Sequence, residues 1–414
     1  MKHRLFCHQI LTLFFLFFLP LCEGQVYKIT TLPTLGGKAT AKFPDIITGI
    51  NSAGQATGCS PEADETSHTF LWTRGAGMQD LGVECGAGYI NDLGHVAGWS
   101  PSVGAFLWTP SGGFQNLGDV TGVQGLNNLD QVTGVYYVDP SKVYLHAFLW
   151  TPQNPTLQDL GTIDGIESWG VGINDSTQVA GISAGYDQSW LWTQSMGMQA
   201  IGGGDFAAYG INDLGQVIGQ TDGVGHAAVW TQAGGVEDLG VLPGTTSSNA
   251  RAINNRGVVV GNSRPFPHEG FVFLWSPTQG MVNVNTLCKN KGQNWAAVGI
   301  NDAGQIAVEK AGGVALILTP IIGVAVSSSL SPSQVGQSVT FTATASSIAG
   351  APPDSEIVTF KDSNTTLGTA PLVAGEASFS TTSLSAGAHH ISATYPGDTN
   401  YDSSVSKTFA QIVK

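Results

Sequence analysis

The sequence predicts an all-β protein: a seven-bladed β-propeller closed by its own N-terminal strand, followed by an immunoglobulin-like β-sandwich. Three observations lead there. A strand–turn–strand phrase recurs seven times, its central Asn at 51, 91, 127, 174, 212, 254 and 301, in steps of 36 to 47 residues. Two further strand-sized runs follow each of the first six phrases, and one follows the seventh. Beyond residue 320 the composition shifts and a different alternating pattern takes over.

The cleanest copy of the phrase is GINDLGQVIG, residues 210–219. Apolar residues flank a turn in which Gly215 supplies a positive φ, while Asn212 and Asp213 tolerate or cap the bend. The run after each phrase ends in an aromatic: Trp72, Trp108, Trp150, Trp192, Trp230 and Trp275, with Leu318 in that place in the seventh copy. A last run closes on Asp-Leu-Gly or a relative of it, at Gly82, Gly118, Gly161, Gly202, Gly240 and Asn285. Each repeat thus holds four strands, A to D. Four antiparallel strands in about 40 residues suit one propeller blade, which buries its faces only against its neighbours. The strand-C aromatics are the expected packing between blades.

The ends of the repeat region supply the closure. The seventh repeat stops at Thr319-Pro320 without a D strand. The segment VYKITTLPTLGG, 26–37, carries Thr31-Leu32-Pro33 where Asp-Leu-Gly would stand. It is read as the missing strand, which leaves no open edge.

INDLGQVIG, HAFLW and QDLGT together resemble the HAF-repeat family of bacterial extracellular proteins, over residues 26–320. The third copy departs from the pattern, with Asp130 for Gly, and the seventh lacks its Trp. The resemblance implies secretion and transfers no catalytic residue.

From Val324 onward Trp disappears and Ser and Thr rise. Runs such as SVTFTATAS and EIVTFKDS alternate apolar and polar residues, as half-buried strands do. About seven strands in this stretch fit an immunoglobulin-like sandwich without a cross-sheet disulfide. VGQSVTFTATAS, VTFKDSNTTLGTAPL and YPGDTNYDSS resemble bacterial Ig-like domains of the large repeat class, over 324–414. Ile321-Ile322-Gly323 is a short connection.

At the N-terminus Lys2, His3 and Arg4 precede an apolar run from Leu11 to Leu21 and small residues before Gln25. Residues 1–24 read as a secretory signal peptide, and no later segment is apolar enough to span a membrane. The net charge of −14 argues against a nucleic-acid backbone as partner. Cys59, Cys85 and Cys288 remain after cleavage, in no metal spacing. Cys59 and Cys85 flank one repeat; a disulfide and unpaired thiols are both open.

Features present in every repeat are explained by the fold. The Asn-Asp pairs lack the clustered carboxylates of a calcium loop. His68, His146 and His226 share one strand-C position, but in separate blades that cannot meet at one ion. No metal and no cofactor are expected. Function is sought in the B–C and D–A connections, which vary in length and emerge on one face. Trp99, Trp169, Tyr186 and Trp295 lie on or beside them and suit stacking on sugars or gripping a peptide. Trp169 and Trp295, each just before an A strand, are expected near the mouth of the central channel. The bland alternative is that these rings cap the core.

The leading reading is therefore a secreted, non-enzymatic recognition or adhesion protein that binds extracellular polysaccharide or a surface protein. The alternative is a carbohydrate-active glycosidase or lyase. Asp164, Glu167, Asp205 and Glu269 are available on loops, but no catalytic signature pairs them.

Overall fold

Among the described residues the repeats fold as seven four-stranded antiparallel sheets set side by side in a propeller-like arrangement. The structure, a computed structural model, describes residues 26–414 except 41, 43, 140, 142, 164, 184–187, 265–269 and 289–293. The proposed signal segment, 1–24, lies outside the described residues. Sheet 1 is Ile46–Ile50, Ala56–Pro61, Ser67–Thr73 and Gly77–Glu84, taken in order as strands A to D. Sheets 2 to 6 repeat this meander over 87–116, 122–159, 168–201, 206–238 and 247–283. Sheet 7 has Trp295–Ile300, Ile306–Lys310 and Val314–Pro320 as A to C. Its fourth strand is the N-terminal Tyr27–Thr31, antiparallel to strand C with Ile29 opposite Leu318.

The cores lie between sheets. Trp108 packs with Leu71 and Leu81 of sheet 1, Trp150 with Leu107 and Leu117 of sheet 2, and Trp192 with Leu149 and Leu160 of sheet 3. Trp275 meets Ile218 and Val229, and Leu318 takes the equivalent place against Val258 and Val260. Trp72 of sheet 1 packs on Ala307, Ala315 and Ile317 of sheet 7. Each buried aromatic contributes about 2–3 kcal/mol of transfer free energy, so the interfaces, rather than any single sheet, hold the array together.

The repeated Asn side chains form a second connection. The Nδ2 of Asn51 donates to the carbonyl of Asn91 at 2.9 Å, Asn91 to Asn127, Asn127 to Asn174, Asn174 to Asn212, Asn212 to Asn254 and Asn254 to Asn301. Asn301 then donates to the carbonyl of Asn51 at 2.9 Å, and the circuit closes. The same side chains also accept from their own turns, as Asn212 Oδ1 does from the N–H groups of Leu214 and Gln216. Turn capping, predicted from sequence, is half of what this residue does.

Departures from the phrase are compensated. Where Gln occupies the fifth turn position, its Oε1 accepts the second Asn proton, as Gln216 does for Asn212 at 2.8 Å. Repeat 2 has His95 there, and Asn91 turns instead to Asp130 of repeat 3, at 2.9 Å. Asp130 also meets His95 Nδ1 at 2.7 Å. It therefore has a role at a positive-φ position that Gly fills in five other repeats and Thr177 in the fourth.

Residues 323–414 form a sandwich of a three-stranded and a five-stranded sheet over Phe341, Phe360, Ile391 and Tyr395. This unit sits on the Asn turns of sheets 6, 7 and 1. Tyr401 OH donates to Ala303 O at 2.6 Å, Asn400 Nδ2 to Ser52 O at 2.9 Å, and Arg256 to the carbonyls of Ala349 and Ala351. Asp402 accepts from Lys28 of the closing strand and from Arg74 of sheet 1, spanning the junction between sheets 7 and 1. Ile322, in the connector, is buried in the sandwich core beside Ala303. Among the described residues no helix is long and apolar enough to cross a membrane.

Candidate functional site

The seven A strands surround a cavity of about 990 Å³. A β-bulge at the same place in every A strand shapes its wall: the A–B register shifts between Ile47 and Gly49, Ala208 and Gly210, Ala250 and Ala252, and at the four equivalent points. A bulge frees one residue from the ladder and re-aims its side chain. The residues so placed are Thr48, Gly88, Gln124, Val171, Tyr209, Arg251 and Val298, and all line the cavity. Each stands three residues before its Asn. In most repeats a Gly follows, because neighbouring A strands nearly touch: a Cβ on Gly125 would lie 3.1 Å from the backbone of Gly172.

Toward the Asn turns the wall becomes an aliphatic girdle of Ile50, Ile90, Leu126, Ile173, Ile211, Ile253 and Ile300. Below it lies a smaller cavity of about 210 Å³, lined by six residues of the Asn circuit and by Asp92, Asp175, Asp213 and Asp302. The backbone N–H of Asp175 donates to Asp213 and that of Asp92 to Asn128, and the Asn128 amide bridges Asp92 and Asp175. This end is therefore polar and acidic.

The opposite end, toward the variable loops, is wider and chemically mixed. Trp169, Ile182, Asn262, Arg264 and Glu309 join the wall there. Tyr209 OH reaches Gln220 at 3.3 Å, and Gln220 is held in turn by the carbonyls of Gly225 and Ser248. Asn262 accepts from the Ala297 N–H at 3.1 Å. Burial pushes the Glu309 carboxyl above its ordinary range and the Tyr89 phenol up to about 12.

The four aromatics singled out from sequence separate. Trp169 lines the cavity, half-buried against Ala180, Ile182 and Phe206. Trp99 is 44% exposed at the B–C end of sheet 2, away from the cavity wall. Tyr186 lies outside the described residues. Trp295 is the correction: it is 6% exposed and packed with Tyr27, Val258 and Cys288. It stands six residues before its Asn and Trp169 five before, and one step along a strand reverses the face. The six-before position is the buried one, as Ser168, Phe206 and Ser248 also show.

Among the loop carboxylates, Asp164 and Glu269 lie outside the described residues, and Glu167 accepts from the Leu145 N–H at 3.4 Å. The three strand-C histidines do not converge. Each pairs with the Asp of its own Asp-Leu-Gly: His68 with Asp80 at 3.2 Å, His146 with Asp159 at 3.0 Å and His226 with Asp238 at 3.0 Å. Each Asp also accepts the N–H of its Gly. In sheet 1 Glu62 approaches the same His68 Nδ1 at 3.3 Å, which gathers three potential metal ligands within 4.8 Å. Cys59 and Cys85 form a disulfide; Cys288 is a buried free thiol, pushed up to about 11 by burial.

Comparison with known proteins bears on two parts of the chain. The repeat region resembles solved structures at low identity. A streptogramin B lyase is 10% identical over 71% of this chain and 98% of that one, with a TM-score of 0.49. Virginiamycin B lyase from Staphylococcus aureus is 10% identical over 71% and 100%, TM-score 0.48. The RRP9 WD40 repeats are 11% identical over 71% and 99%, TM-score 0.45. No curated protein matches the chain. Residues 326–414 match the family described as bacterial Ig-like domain (group 3).

Proposed function

We propose that residues 25–320 are a seven-bladed propeller of HAF-type repeats on a secreted protein, and that it serves as an extracellular recognition or adhesion module. Its ligand is a polysaccharide or a surface protein, met at the loop-side end of the central cavity. One observation carries this reading. Every sheet presents a bulge residue to the same cavity from the same place, six residue types over seven sheets, and the Ig-like unit occupies the other face. A scaffold position that is fixed in geometry and free in identity is where binding specificity is built.

Trp169 and Tyr209 are the platforms of this site, and the exposed Trp99 of sheet 2 is a further candidate contact outside the cavity. The Ig-like unit keeps the cavity mouth turned away from the C-terminus. The test is a polysaccharide panel against the mature chain, with binding and product release followed together. Retention of a glycan, lost in Trp169→Ala and Tyr209→Ala, is the expected result. Release of shortened product would instead establish an enzyme, and binding indifferent to both substitutions would remove the site.

A further inference from the structure

The cavity is electrically lopsided. The protein carries 16 basic against 30 acidic residues. Yet the residues lining the large cavity include two arginines, Arg251 and Arg264, one glutamate, Glu309, and no aspartate. Neither guanidinium forms an ion pair or a hydrogen bond with a described residue, in contrast to Arg74, which binds Asp402, and Arg256, which binds two carbonyls. Both arginines belong to sheet 6. Arg251 is the sole charged member of the seven bulge residues, and Arg264 ends the neighbouring strand at the wide mouth. The lower mouth carries four aspartates. An anion is therefore repelled at one end and met by two uncommitted guanidiniums at the other.

The neutral wall narrows the class of anion. Trp169, Tyr89 and Tyr209 offer ring faces, and Gln124, Thr48 and Asn262 offer neutral hydrogen-bonding groups, within the same cavity. Apolar ring faces beside amides and hydroxyls suit a pyranose, which has an apolar C–H face and an edge of hydroxyls. A guanidinium fork suits a carboxylate.

We propose that the cavity binds an acidic saccharide chain, with a uronate carboxylate on Arg251 and Arg264 and a sugar ring against Trp169 or Tyr209. This rests on the recognition reading above and names its ligand class.

The experiment is titration calorimetry on the mature chain with tetragalacturonate, its methyl-esterified form and a tetraglutamate peptide. Tetragalacturonate is expected to bind about tenfold or more tightly than its ester, the value of a charge-assisted contact. Arg251→Gln and Arg264→Gln each remove that preference without weakening the ester, and both variants keep the wild-type melting temperature. Trp169→Ala weakens both saccharides. Equal binding of acid and ester, or arginine variants that bind the acid like wild type, overturns the anionic class. If Trp169→Ala still weakens binding in that case, the recognition site itself stands. Failure of tetragalacturonate to bind while a neutral glycan does has the same meaning. Peptide binding as tight as the saccharide overturns the saccharide assignment. Saccharide binding untouched by all three substitutions overturns both readings.

Discussion

Replacing Asn212 by alanine tests the inter-sheet circuit at a point remote from the Ig-like contacts. The side chain is 4% exposed and makes four hydrogen bonds: to Gln216 Oε1 at 2.8 Å, to Asn254 O at 3.0 Å, and from the N–H groups of Leu214 and Gln216. At about 1 kcal/mol net each, these amount to about 4 kcal/mol. The turn at Leu214 is open to water, which recovers part of this, so the expected cost is about 3 kcal/mol. Asn212→Asp keeps the acceptors, loses both donors and places a buried charge against the carbonyl of Asn254, so it should cost at least as much. Thermal unfolding followed by tryptophan emission should fall by about 5–10 °C for either variant. A loss below about 1 kcal/mol would refute the circuit as a stabilising element, because ordinary surface turns tolerate such a change at that level.

Three further outcomes follow from individual contacts. Asp45 is buried, and burial pushes its carboxyl up to about 6 despite help from Ser60 and the Ala315 backbone. Its native pKa lies above the unfolded value, so its contribution is full below about pH 4 and lost as pH rises through about 6. Asp45→Asn should therefore leave stability at pH 4 unchanged and raise it at pH 7.5 by about 2–3 kcal/mol, read from denaturant midpoints. Gly219→Ala should prevent folding of the repeat region, measured as soluble yield and far-ultraviolet dichroism. Its Cβ would lie 2.0 Å from the carbonyl oxygen of Ala207, a backbone atom paired in the ladder that cannot move aside. Tyr401→Phe leaves the Ala303 carbonyl without its 2.6 Å partner and should cost about 1–2 kcal/mol, seen as faster proteolytic separation of the two units.

Local features of the fold were legible because they repeat. The phrase around each Asn, the strand-C aromatics and the orphan N-terminal run all correspond to strands and contacts in the structure. What sequence periodicity could not reveal is what passes between repeats. The Asn circuit joins residues 36 to 47 apart, or 250 apart at the Asn301–Asn51 junction, and periodicity records a position without recording its partner. The His–Asp pairs did leave a signal. Sheets with Gly104 or Gln188 in place of His also lack the Asp, having Asn116 and Ala200 instead. Loss of both together marks a contact within each sheet.

The site was legible only in outline. Trp169, expected near the channel mouth from its place just before an A strand, does line the cavity. Trp295 illustrates the limit: both tryptophans precede an A strand, but the bulge and a one-residue offset decide which ring faces the cavity. The bulge residues had a signature too, since the position three before each Asn runs Thr, Gly, Gln, Val, Tyr, Arg, Val within an otherwise constant phrase. A repeated motif draws attention to what is constant, while the chemistry of the cavity wall varies at this position. Arg256, Asn400 and Tyr401 were hidden for a different reason: their roles exist only once the Ig-like unit is seated on the turns.

The most direct measurement of the central claim is hydrogen–deuterium exchange of the mature chain, with and without the saccharide that binds most tightly in the panel. Protection confined to the loop-side ends of strands A, including 165–169 and 247–251, is the predicted result, with the Asn turns and residues 324–414 unchanged. Protection on the Ig-like unit or on the Asn turns, with the cavity mouth unaffected, would contradict it.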